Sequence, residues 1–195
     1  MIPKKRFLNT ALLLILVVMP MSLLQGCSQD ETTGLITAGS EAATVAAMLT
    51  VKQELPDEVT QISTALGIAC KQANELLQDT KSATTLRQVL ELSFSTDPLL
   101  EKVKPVVDFC LPVLENISAV SAALDKPISG LNSTVNADAQ AFFNGIAAGL
   151  AVPVGTTVDQ LRASDPKVDK AVKLSVRRFD TTSLADKLKG LKVKK

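Results

Sequence analysis

Leu99, Val103, Val106, Cys110, Val113, Ile117, Val120 and Leu124 follow one another at alternating steps of four and three residues. That repeat returns apolar side chains to one face of an α-helix every two turns, the pattern of helices packing at a shallow angle. Three prolines run alongside it. Pro98, Pro105 and Pro112 are seven apart, and each stands one residue before a stripe position. Pro98 follows Asp97 in Ser95-Thr96-Asp97-Pro98, a cap-then-proline helix start. Pro105 and Pro112 each remove a backbone hydrogen bond, at about 3 kcal/mol in a helix interior. Two expectations follow: a helix that curves around its neighbours, or a break and restart at Pro105. A third reading is that the prolines mark short helices in series.

The composition points to the same class. Six phenylalanines are the only aromatic residues, and Trp, Tyr and His are absent. A core of Ala, Val, Leu and Ile favours helices packed closely through small residues, so the sequence predicts an all-α bundle of four to six helices. From Pro56, with Asp57 and Glu58 in the first turn, Val59, Ile62, Leu66, Ala69, Ala73 and Leu76 form one stripe. Ser40 reads as the cap of an Ala-rich first helix over 41–53. A shorter helix is expected over 83–94, and a turn over 126–132. Asn136 or Thr134 reads as the cap of a helix over 137–152. In that helix Phe142, Phe143, Ile146 and Leu150 form one face, and Gly145 and Gly149 allow close backbone approach. It reads as a buried core helix, or else as a groove or membrane-touching face.

At the N-terminus, Lys4, Lys5 and Arg6 precede an unbroken apolar run from Ala11 to Met19. A basic head and a short apolar middle describe a secretory signal peptide, too short for a membrane span of about 20 residues. The run ends in Leu24-Gln25-Gly26-Cys27. These residues resemble the lipobox of bacterial lipoproteins, with Gln25 where a small residue is usual. The resemblance covers residues 1–28. It implies cleavage before Cys27, a diacylglycerol thioether on that cysteine, and membrane attachment through its acyl chains (palmitate among them). Ser28 stands where Asp often marks inner-membrane retention. The implied location is therefore the outer membrane, lipid-anchored and facing the periplasm.

Removing residues 1–26 of 195 leaves 169, enough for one domain with a tail. Residues 28–39 are polar and read as a flexible tether, making 27–39 a lipidated tether, 40–161 a helical bundle domain and 162–195 a basic helical tail. The net charge of +1 conceals this division. Residues 28–161 hold 7 basic and 16 acidic side chains, whereas 162–195 hold 11 basic and 4 acidic. Asp165-Pro166 opens a helix flanked by Arg177 and Arg178. Leu184, Leu188 and Leu191 form one face of a last amphipathic helix among Lys187, Lys189, Lys192, Lys194 and Lys195. These seven basic residues are the candidate contacts with a partner or membrane. Their possible targets are anionic lipid, an acidic partner protein and the acidic body itself.

Cys70 and Cys110 remain once Cys27 is assigned to lipid. In an oxidising compartment an even pair points to one disulfide, closing about 40 residues and contributing on the order of 4 kcal/mol. Catalytic patterns are scarce. Without His there is no His general base and no Ser-His-Asp triad. Ser164-Asp165-Pro166-Lys167 matches Ser-x-x-Lys, but its companion Lys-Thr-Gly is absent and the segment accounts for itself as a helix cap. No metal or cofactor is expected. No nucleic-acid partner is expected, given the exported location that the resemblance implies and a single aromatic, Phe179, in the basic region. The expectation is a non-enzymatic, outer-membrane-anchored binding or assembly factor with an envelope protein as partner. Two alternatives remain: a carrier of an apolar ligand or lipid walled by Phe142, Phe143, Gly145 and Gly149, and a phage or plasmid exclusion or immunity lipoprotein.

Overall fold

The computed structural model describes residues 28–94, 99–115, 117–175 and 181–192. The chain divides into two units, Met1–Thr32 and Thr33–Lys195. Among the described residues every regular element is helical, and the one bridge, Thr85 with Pro127, is isolated. The elements are α1 (Gln29–Glu54), a 3-10 turn (Pro56–Glu58), α2 (Val59–Gln78), α3 (Leu86–Leu90), α4 (Leu100–Cys110), α5 (Pro112–Glu115), α6 (Ser118–Ser121), a second 3-10 turn (Ile128–Gly130), α7 (Ser133–Ala151), α8 (Val158–Ser164), α9 (Pro166–Ser175) and α10 (Thr181–Lys192).

The first helix departs most from expectation. Residues 29–39 are helical rather than a tether, and Ser40 is a fully buried mid-helix residue rather than a cap. The start is at Ser28, whose Oγ accepts from the Glu31 N–H at 3.3 Å, with Asp30 and Glu31 beside the positive end of the dipole. Polar residues persist in this helix because their hydroxyls turn back onto it. Thr37, Thr44 and Thr50 each donate to the carbonyl four residues earlier. Two apolar faces then make α1 the centre of the fold. Leu35, Ala38, Ala42, Val45 and Leu49 pack against Leu161, Val168, Ala171 and Val172. Ile36, Ala43, Ala47, Met48 and Val51 belong to the larger core with α2, α4, α7 and α10. Among the described helices, α1 alone is long and apolar enough to cross a membrane; 67% of its apolar window is buried within the protein.

The second helix buries Ile62, Leu66, Ala69 and Ala73 of the expected stripe, leaves its ends Val59 and Leu76 partly buried, and buries Cys70 and Leu77 beside them. The long stripe does not make one helix. The chain runs helically through Pro105, ends α4 at Cys110, and continues as the short α5 and α6. The break therefore falls after Cys110, not at Pro105, and short helices in series are the outcome. Val103, Val106, Cys110 and Val120 still reach the core, joined by Val107 and Leu114. The Asp97-Pro98 start signal lies outside the described residues. The helix expected over 83–94 shrinks to α3, fixed by a capping box between Thr85 and Gln88. It ends with Leu92 at φ 54°, where Ser93 N–H bonds Gln88 O and Leu92 N–H bonds Val89 O. That is a Schellman closure with leucine in the position that favours glycine.

Candidate functional site

The basic residues of the C-terminal segment separate into three groups. Lys187 and Lys189 lie on α10, where Leu184 and Leu188 are buried and Leu191 packs partly against the core. Lys187 Nζ stands 4.0 Å from Asp108, and Lys189 Nζ stands 3.7 Å from Glu54 and 4.0 Å from Asp186. Exposed pairs of this kind are worth roughly 0–1 kcal/mol, so the leucines fix the helix and the acidic body orients its lysines. Arg177, Arg178, Lys194 and Lys195 lie outside the described residues, as does the side chain of Lys192.

Residues 162–175, expected as the start of a tail, belong to the domain. Ala171 and Val172 pack on α1, and Arg162 joins α8 to α9 by bonding Asp159 at 3.2 Å and Asp169 at 3.1 Å. Lys173 and Arg162 together hold the Asp169 carboxyl below the usual carboxylate range. The boundary drawn at 161 therefore runs through one packed cluster. The charge changes sign there, and the apolar contacts continue across it.

Cys70 and Cys110 are both free thiols in the structure, and both are buried. Cys110 Sγ shares a hydrogen bond with Thr44 Oγ1 at 3.6 Å. Burial pushes both thiols up to about 12, and for Cys70 the neighbouring Cys110 adds to the shift. Cys70 on α2 and Cys110 on α4 belong to the same buried core cluster.

The apolar helix α7 is a core helix. Asn132, two residues before Thr134 and four before Asn136, holds its start by accepting from Val135 N–H at 2.8 Å. Phe142 and Phe143 are fully buried and meet edge to face, with ring centres 5.2 Å apart. Gly145 and Gly149 press on α1: a Cβ on Gly145 would stand 2.7 Å from Ser40 Cβ, and one on Gly149 2.6 Å from Thr44 Cβ. Thr37 Oγ1 adds a hydrogen bond across the crossing to Ala141 O at 3.3 Å. The four residues assigned to a ligand wall are consequently occupied by protein. A separate cleft of about 40 Å³ opens among Leu90, Leu111, Leu114, Val120 and Leu124, with Arg87 at its rim. It has room for a few waters. The Arg87 guanidinium is already engaged by Asp125, Nε to Oδ1 at 2.9 Å, which also lowers the Asp125 carboxyl.

The Ser-x-x-Lys match is a helix junction. Ser164 Oγ donates to Leu161 O, and Asp165 Oδ1 accepts from Lys167 N–H as α9 begins. Among the described residues no three His, Cys, Asp or Glu side chains are grouped to hold a metal ion. Comparison with protein-family models, with curated proteins and with solved structures gives no match.

Proposed function

We propose that this protein is a lipid-anchored, non-catalytic binding or assembly factor of the bacterial cell envelope, attached through Cys27 to the outer membrane and facing the periplasm. The observation that carries the binding role is α10. Two buried leucines seat it on an acidic body, and Lys187 and Lys189 stay more than half exposed on its outer side. An acidic surface on an envelope protein is the partner that suits this arrangement, because carboxylates interspersed among the lysines would repel a uniformly anionic surface. Oxidation of Cys70 and Cys110 to a disulfide, with two protons and two electrons passing to an oxidant of that compartment, would lock α2 to α4. Their burial requires that oxidation to precede closure of the core.

In-cell crosslinking beside Cys27→Ala and the pair Lys187→Glu with Lys189→Glu tests the reading. The expected result is one crosslinked protein that is lost with the lysine changes while the fold is kept. Cys27→Ala is expected in the soluble periplasm, and a variant as membrane-bound as wild type sinks the anchor. Thiol titration of denatured, unreduced protein tests the disulfide: two free thiols per chain refute it.

A further inference from the structure

We infer that the lipid anchor holds the body end-on, with the loop platform formed by residues 79–86 and 125–133 resting on the phospholipid headgroups. The inference rests on lipidation of Cys27. Ser28 alone separates that cysteine from the start of α1. Even a fully extended chain from Cys27 to Thr33 reaches no more than about 20 Å. Thr33 to Glu54 along α1 spans roughly 30 Å. The end of the body at Thr33 is therefore the end tied to the membrane.

The helix packing decides which residues share that end. Ala141 lies beside Thr37 and Gly149 beside Thr44, so α7 runs parallel to α1. Ser133, eight residues before Ala141, then sits about 12 Å from the level of Thr37 in the direction of Thr33. Asn136 Nδ2 donates to Leu77 O at 2.9 Å, which brings the C-terminus of α2 to the same end. From there the two loops bond to each other. Ser129 N–H donates to Ser82 O, Ile128 N–H to Thr84 O and Leu86 N–H to Lys126 O, at 2.9 to 3.1 Å. Thr80, Lys81, Lys126, Ser129, Asn132 and Ser133 are exposed on this platform.

Charge favours this end over the flanks. The platform loops hold Asp79 and Asp125 against Lys81 and Lys126, a balance of zero, among hydroxyl and amide groups. The remainder of residues 28–161 is strongly acidic and is repelled by anionic lipid. The opposite end carries Glu54, Pro56 and Lys189 of α10, which face away from the anchoring bilayer.

The test uses lipidated full-length protein in vesicles of phosphatidylethanolamine and phosphatidylglycerol containing a headgroup nitroxide lipid. A bimane is attached at Ser129→Cys or Gln53→Cys, both exposed positions, while Cys70 and Cys110, both buried, stay unlabelled. Quenching is expected to be several-fold stronger at 129 than at 53. A flexible Gly-Ser spacer inserted between Cys27 and Ser28 is expected to erase most of that difference with lipidation intact. Equal quenching at both positions in lipidated protein overturns the end-on placement and leaves the anchor standing. Absence of a lipid mass on Cys27 overturns both.

Discussion

The backbone of Gly149 passes so close to α1 that a methyl group on it would stand 2.6 Å from Thr44 Cβ and 2.8 Å from Glu41 O. Backbone on one side and a helix-bound threonine on the other leave nothing to yield. Gly149→Ala and Gly145→Ala are each expected to destabilise the fold by about 2–3 kcal/mol, as overpacking does. Gly34 and Gly190 have open space at the same position. Gly34→Ala and Gly190→Ala are expected to stabilise by roughly 0.5–1 kcal/mol, the helix-propensity gain. Urea melts of the four variants check the opposite signs.

Leu92 reverses the usual order of alanine and glycine. Its left-handed backbone costs about 1–2 kcal/mol, which burial of its side chain offsets. Leu92→Ala loses the burial and keeps the strain, whereas Leu92→Gly loses the burial and relieves it. Chemical denaturation is expected to rank Leu92→Gly above Leu92→Ala by about 1 kcal/mol, with both below wild type.

Ser40 is fully buried, and its Oγ has no hydrogen-bond partner. Ser40→Ala removes a desolvated hydroxyl without adding volume. It is expected to leave stability unchanged or raise it by up to about 1 kcal/mol. Ser40→Val is expected to destabilise, since Gly145 leaves no room for branched carbons. Thermal denaturation of the pair separates the polar from the steric effect.

Glu41 gives the fold a pH dependence opposite to that of its salt-bridged carboxylates. Burial first, and then the charge of Asp165, raise its pKa in the native state. A carboxyl raised by folding favours the native state below its unfolded pKa and loses that contribution as pH rises through the folded value. Glu41→Gln is therefore expected to be slightly more stable than wild type at neutral pH, and the gain should vanish as pH falls into the ordinary carboxylate range. Asp125 and Asp169 run the other way. Their pKa values are lowered, so their contribution is present above the unfolded value and is lost as pH falls through the folded one. Stability curves across that range, with and without the Glu41 change, resolve the two.

The helical class was legible because apolar spacing records it directly. Ile62, Leu66, Ala69 and Ala73 are buried where their period puts them, and Gly145 with Gly149 makes the close approach that their spacing allows. The first helix was misread because a Thr- and Gly-rich stretch looks like coil until its partner is known. Thr37, Gly39 and Ser40 are small so that neighbouring residues can come near, and no hydrophobic stripe marks that requirement. One signal was present: Ser28-Gln29-Asp30-Glu31 has a cap followed three residues later by Glu. The segmentation after Cys110 was open because two prolines at equal spacing have unequal effects. Pro105 is carried within α4, while Pro112 starts a new turn. For the basic residues, charge counting picks out Lys187 and Lys189 as part of a basic segment. It could not show that Leu184 and Leu188 would seat them on the domain.

The two-faced packing of α1 also sets an order in time. Synthesis delivers α1 first among the described helices, yet Leu35, Ala38, Ala42 and Val45 find Val168 and Ala171 only after more than a hundred further residues have been made. Until then that face of the first helix is bare apolar surface, a nascent-chain liability that calls for a holding chaperone or for delay in an unfolded form. Maturation of this fold is thus gated by its last quarter, and a ribosome stalled before Val168 would carry a chain unable to cover its own centre.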